Sequence, residues 1–174
     1  MKLTQAILKQ VLHYDSRTGT WTWRKRSDYR SQWNGRFAGK PAGSIDPDNG
    51  YLRIRVKIGD INRLYYAHRL AFLYVTGEWP QVEADHRDLD RAYCAWDNLR
   101  PATRSQNNLN HPLRSDNTTG QKGVWLDHRS GKYSAEVTIN RSRYRKAGFD
   151  TIEEAAAFYK KIIRERGEGF GRTA

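Results

Sequence analysis

A single cysteine, Cys94, stands in 174 residues, so neither an intramolecular disulfide nor a four-sulfur zinc site can form. No apolar run approaches the ~20 residues that span a bilayer, and the N-terminus lacks the apolar stretch and cleavage signature of a secretory signal. The expectation is a cytoplasmic protein with no membrane contact. Acidic residues are the minority: 19 Asp plus Glu face 31 Lys plus Arg, for a formal charge of +12 and a pI near 10. Such a surface attracts polyanions, and nucleic acid is the leading partner class. The excess is no terminal tail, since the chain before Pro112 carries +7 and the remainder +5. With 37% apolar residues only modest cores can be buried, which favours two small modules.

Along the chain, Leu3-Thr4 to Tyr14 predicts a short helix capped by Thr4, with Ile7, Leu8, Val11 and Leu12 at helical spacing. From Arg17 to Lys40 seven basic residues accompany one acid, and Trp21 and Trp23 alternate about Thr22, which predicts a basic, aromatic strand and loop. After the Asp48-Asn49-Gly50 turn, Tyr51, Ile54, Val56 and Ile58 are interleaved with Arg53, Arg55 and Lys57, a half-buried strand whose polar side is all cationic. Leu64-Tyr65-Tyr66 reads as the returning strand, followed by a helix over 67–76 that Gly77 ends. Thr103 and Gln106 have capping-box spacing ahead of another short helix, and His111-Pro112 stops it. A polar stretch lacking periodicity then reads as a linker. Beyond it, strand-like runs at 123–126, 133–139 and 144–149 precede a helix over 152–164 that covers them with Ala155, Ala156, Tyr159, Ile162 and Ile163. The expected divisions are 1–48, an N-terminal helix and basic extension; 49–112, a central domain; 113–120, a linker; and 121–174, a sheet-plus-helix domain.

The residues with chemistry to offer are Asp85, His86, Asn98 and Asn107. An imidazole titrates near neutrality, so His86 suits a general base. Asp85 and the amide oxygen of Asn107 are hard donors of the kind Mg2+ favours when water and phosphate oxygens complete its shell. Asn98 suits a bridge across backbone groups that orients His86. Each of these also has an ordinary reading as a turn residue bonded to its own backbone. Arg69, Arg100 and Arg104 could reach phosphates in the same arrangement, although a solvated face explains each nearly as well.

The succession His68-Arg69-Leu70-Ala71, Asp85-His86, Asn98-Leu99-Arg100 and then Asn107 resembles the HNH homing endonucleases, in the variant with Asn at the last position. The resemblance covers roughly 49–110. It implies a ββα-metal fold, His86 as general base, Asp85 and Asn107 as ligands of one divalent ion, Asn98 as the structural Asn, and His68 as support for the site. Asn in place of a final His makes a zinc site less fitting, so the expected cofactor is Mg2+, with Mn2+ an acceptable substitute.

In the C-terminal part, Tyr133, Ala135, Val137 and Ile139 alternate with Ser134, Glu136, Thr138 and Asn140. The second set, beside Trp125, Arg143 and Arg145, would present a polar, cationic and aromatic sheet face wide enough for a major groove. Any sheet with one solvated side shows such alternation. The runs Lys122-Gly123-Val124-Trp125, Lys132 to Val137, Arg143-Tyr144-Arg145, Gly148-Phe149 and Glu153 to Ala156 resemble the APETALA-type, or ethylene-response-factor, DNA-binding domain. That resemblance implies DNA reading by the sheet through Lys122, Trp125, Glu136, Thr138, Arg143 and Arg145. It departs in the first strand, where Trp125 and Asp127 replace paired arginines.

The expectation is therefore an α+β protein: a ββα-metal nuclease domain followed by a three-stranded antiparallel sheet packed on one helix. Its partner would be double-stranded DNA, cut one strand at a time by a monomer. The competing readings are a non-catalytic DNA-binding regulator and an RNA-binding protein that stacks bases on its Trp and Tyr rings.

Overall fold

The computed structural model describes residues 2–171. Its elements are five α-helices and several small sheets, so the chain is mixed α and β. The contacts divide into two compact units, Met1–Pro101 and Ala102–Ala174. This division lies upstream of the polar stretch 113–120. The physical reason is that Ala102 and Leu109 are buried with Val124, Ala135 and Tyr159 in the second core.

The first unit opens with α1 (Gln5–Val11), whose N-terminus Thr4 caps through a bond from the Ile7 amide. The helix stops short of the expected Tyr14. Leu12–Asp15 instead forms β1, paired antiparallel with β2 (Thr20–Trp23), Tyr14 opposite Trp21. Leu12, Tyr14 and Trp21 are all buried, so alternation against a partner strand outweighs a further helical turn. The Tyr14 and Trp21 rings stack at 4.5 Å. The basic segment that follows also departs from expectation, because Ser31–Phe37 is a helix, α2, with no buried residue. Asn34 holds it in place, accepting from the Arg26 amide at 2.8 Å and donating to the Arg26 carbonyl at 2.7 Å.

Strands β3 (Ser44–Ile45), β4 (Leu52–Ile58) and β5 (Ile61–Tyr66) form one antiparallel sheet in that order. Ile54 and Val56 point into the core while Arg55 and Lys57 stay exposed. Arg53 pairs with the buried Asp46 at 3.0 Å. Helix α3 (Ala67–Thr76) spans the expected residues and ends at Gly77, whose φ of 83° is the left-handed cap glycine tolerates. Leu70, Ala71, Phe72 and Leu73 bury it against α1, β4 and the β1–β2 hairpin residues. Strands β6 (Glu83–His86) and β7 (Leu99–Ala102) pair with each other, joined by a loop and a 3-10 turn at Trp96–Asn98.

The second unit begins with α4 (Arg104–Asn110). Thr103 and Gln106 make the expected reciprocal capping box, and His111 is the C-cap. Strands β8 (Val124–Asp127), β9 (Lys132–Ile139) and β10 (Ser142–Phe149) form an antiparallel sheet with β9 in the middle. Helix α5 (Ile152–Arg166), capped by Thr151, packs Ala155, Ala156, Tyr159 and Ile163 onto Ala135, Val137 and Ile139. Segment 114–123 is bonded rather than loose: Asn117 Nδ2 donates to the Gln121 carbonyl at 3.1 Å, and Thr119 Oγ1 to the Val124 carbonyl at 2.9 Å. Among the described residues no helix is long and apolar enough to cross a membrane.

Candidate active site

Strand β6 ends on Asp85 and His86, and both side chains are buried. In regular extended backbone they face opposite ways, and here each finds its own partner. Asp85 Oδ2 accepts from Arg100 Nε on β7 at 2.8 Å. Arg100 is one of the arginines that the sequence offers to phosphate. Its side chain is 10% exposed, and its charge is set against a carboxylate that is 3% exposed rather than offered to solvent.

His86 lies among rings. The His68 imidazole, from the first turn of α3, meets it edge-on at 5.0 Å. The Tyr51 ring touches both, at 5.1 Å from His68 and 5.9 Å from His86, and Tyr66 stacks on His68 at 5.5 Å. Cys94 Sγ is 3.9 Å from His86 Nε2. Burial lowers the proton affinity of His86, while Asp88, Asp85 and Asp90 work against that and Arg91 reinforces it. His68 is pushed down to about 3, chiefly by burial, with His86 and Arg69 adding to it. Its Nδ1 is buried with no hydrogen-bond partner among the described residues. Burial pushes the Cys94 thiol up to about 12, so it stays neutral.

Asn98 bridges backbone groups across the loop that follows β6. Its Oδ1 accepts from the Asp88 amide at 3.1 Å, and its Nδ2 donates to Asp88 Oδ1 and to the Tyr93 carbonyl, each at 2.9 Å. Its own carbonyl accepts from the Arg87 amide at 2.9 Å, beside His86. One amide side chain thus closes the loop between β6 and the 3-10 turn. The loop is also held from behind by the N-terminal hairpin: Tyr14 Oη donates to the Cys94 carbonyl at 2.6 Å, and the Trp96 amide to the Ser16 carbonyl at 2.8 Å.

Arg69 is half-buried on α3, and Asn107 is half-buried in the second turn of α4 in the second unit. In that unit Arg104, Lys122, Trp125, Glu136 and Thr138 line one hollow of about 930 Å³. Lys122 is spent on structure, since its Nζ donates to the Leu109 carbonyl at 2.7 Å and the His111 carbonyl at 2.5 Å, closing the end of α4. On the sheet, Arg143 pairs with Glu136 at 2.5 Å and the Arg145 guanidinium lies 5.2 Å over the Trp125 ring. Ser134, expected on the outer face, is 2% exposed opposite Trp125.

Two residues that sequence reasoning passed over belong to the site. Tyr51 supplies a ring that packs against both imidazoles. Arg91, exposed on the loop after β6, lays its guanidinium 5.1 Å over Tyr51 and donates from Nη1 to the Asn49 carbonyl at 3.0 Å. An Asn-Gly turn before a strand marks Tyr51 as a strand start, and nothing local in the sequence marks Arg91.

Residues 65–109, from β5 through α4, match the family model described as HNH endonuclease. The chain thus carries an HNH endonuclease domain, a nuclease, and Asp85, His86, Asn98 and Asn107 all fall within it. The solved structure of the HNH homing endonuclease I-HmuI, which concerns its DNA binding and cleavage, is similar with a TM-score of 0.44 and 19% identity, covering 84% of this chain and 76% of that one. Comparison with the curated proteins gives no match.

Proposed function

We propose that the protein is a metal-dependent endonuclease that hydrolyses phosphodiester bonds in double-stranded DNA, with His86 as the general base. The observation that carries this reading is a buried, loop-locked imidazole within the segment that matches HNH endonucleases. A base must be neutral to accept a proton, and burial keeps His86 neutral to below the ordinary histidine range. It takes a proton from water as the water oxygen bonds to phosphorus and the bond to the leaving sugar oxygen breaks. Asn98 holds the loop so that the imidazole keeps its aim. Arg91 and Arg69 offer positive charge to the phosphate.

HNH nucleases generally use a divalent ion, which supplies charge neutralisation at the scissile phosphate. Among the described residues no three His, Cys, Asp or Glu side chains gather into a ready-made cage. A site of few protein oxygens completed by water and phosphate is the habit of Mg2+, and a carboxylate and an amide oxygen are the hard donors it takes. Asp85 would be the carboxylate ligand and Asn107 the amide ligand. The part given to Asn107 rests on its place in the motif. One such centre cuts one strand, so a monomer nicks, and the APETALA-like sheet of the second unit, with Trp125, Thr138 and Arg145, aids the choice of site.

The test is incubation of supercoiled plasmid and a panel of natural genomic DNAs with wild type and His86→Ala, in Mg2+, Mn2+ and chelator. Nicked circles from wild type only, and only with metal, are expected. Wild type that binds every DNA yet cuts none, in either metal, would replace this reading with a non-catalytic DNA-binding regulator.

A further inference from the structure

Residues 24–40 stand outside the His86 site and carry six basic side chains against one acid. That acid, Asp28, is already engaged: the buried Arg26 holds it through both Nε, at 2.9 Å, and Nη2. Lys25, Arg30, Arg36 and Lys40 are exposed and have no carboxylate partner among the described residues. The same segment carries an organised set of rings. Tyr29 and Trp33 are 4.7 Å apart, and Trp33 also meets Trp23 at 5.6 Å and Phe37 at 5.2 Å. The Arg26 guanidinium lies 4.1 Å over Tyr29, and Asn34 clips the Arg26 backbone to α2, so these rings are fixed although only half-buried.

Between these rings and the β4–β5 turn is a cleft of about 580 Å³, lined by Tyr29, Arg30, Gln32, Trp33, Lys57 and Ile58 together with Asp28 and Gly59. Its chemistry is a pair of flat aromatic surfaces, one aliphatic side chain, an amide, two exposed cations, and the Asp28 carboxylate, whose charge is already met by Arg26. Aromatic rings beside cations bind nucleic acid by stacking on bases and drawing in phosphates. Bases inside a duplex are already stacked on each other and cannot reach such a cleft. Further exposed cations on the same segment, Lys25, Arg36 and Lys40, extend the positive charge beyond what a free mononucleotide would engage.

We propose that this cleft binds an unpaired stretch of nucleic acid, with bases against Tyr29 and Trp33 and phosphates on Arg30 and Lys57. The site is independent of cleavage, so its test is run in chelator and its outcome does not depend on whether the protein cuts. The intact protein is titrated with a fluorescently labelled 12-mer of thymidine and with a duplex of equal length, by anisotropy and by tryptophan quenching. Arg30→Ala/Lys57→Ala, two exposed changes, should keep the wild-type melting temperature. It should lose tenfold or more of single-strand affinity, with a shallower salt dependence and a smaller loss for duplex. Trp33→Phe should retain most binding and lose most of the quenching, while Tyr29→Ala should bind less well than Tyr29→Phe. Equal losses for single strand and duplex would reduce the cleft to a generic cationic surface and overturn the proposal. So would unchanged single-strand binding in the double variant.

Discussion

The imidazole of His68 stands edge-on to that of His86, the ring centroids 5.0 Å apart and the planes at 83°. Burial holds His68 at about 3 against an ordinary value of 6.5. Between these two pH values the unfolded chain binds a proton at His68 that the folded chain does not. Stability is therefore fully present above pH 6.5 and is lost as pH falls toward 3, at up to ~1.4 kcal/mol per unit. His68→Phe keeps the ring and removes the unpartnered Nδ1, so its denaturation midpoint should fall less steeply over that range while staying within ~1 kcal/mol of wild type at pH 7. Parallel pH curves for the two proteins would refute the buried, neutral His68.

Helix α3 with its Gly77 stop, the Thr103–Gln106 box and the meander of β8, β9 and β10 could all be read in the sequence, because their signals lie within a few residues of each other. The strand β1 could not. Leu12 satisfies helical spacing after Leu8 and strand alternation with Tyr14 equally, and the choice is made by Trp21 across the hairpin. Helix α2 buries no residue, so it has no apolar period to detect, and a side chain three residues into the helix fixes it to the preceding loop. In the site, residue chemistry pointed to Asp85, His86 and Asn98. The pairing of Arg100 with Asp85 and the contact of Tyr51 with His86 join separate strands, which single-sequence spacing does not report.

Gly19 is where the N-terminal hairpin meets the loop behind His86. A Cβ built there would lie 2.3 Å from the Ala95 nitrogen and 2.4 Å from the Cys94 carbonyl carbon, at a φ of +74° that disfavours any side chain. Both obstacles are backbone, so the loop must shift. Gly19→Ala should destabilise by more than the ~1 kcal/mol of an ordinary left-handed glycine replacement. It should also slow nicking, because the displaced segment carries Cys94, 3.9 Å from His86 Nε2. Tyr14→Phe removes only the bond to the Cys94 carbonyl and should cost about 1 kcal/mol. A Gly19→Ala protein with wild-type melting and wild-type cleavage would show that the hairpin does not brace the site.

Arg100 and Asp85 form a buried charge pair, and removing one member takes that ion pair from the other. Arg100→Ala should cost ~3–5 kcal/mol in chemical denaturation, because the Asp85 carboxylate loses its guanidinium in a place water reaches poorly. Asp85→Asn/Arg100→Ala should recover part of that loss, and the coupling is read from the double-mutant cycle. An arginine that served DNA directly would behave in the opposite way, with unchanged stability and a lower salt slope of binding.

Arg91 is the exposed counterpart. Its guanidinium is fixed by the Tyr51 ring at 5.1 Å and the Asn49 carbonyl at 3.0 Å, so it is preorganised for a bidentate phosphate contact at little cost in side-chain freedom. Arg91→Ala should leave stability within ~0.5 kcal/mol, as surface changes do. It should weaken binding of a cleavable DNA and lower the slope of log affinity against log salt by about one unit, the signature of one lost phosphate contact. Arg91→Lys retains the charge but neither the planar stack nor the fork, and should fall between the two. The same positive charge also opposes protonation of His86, so its removal raises the affinity of that imidazole for a proton. The acid limb of the cleavage profile should then move to higher pH in Arg91→Ala and stay near wild type in Arg91→Lys. An unmoved limb together with an unchanged salt slope would remove Arg91 from the site.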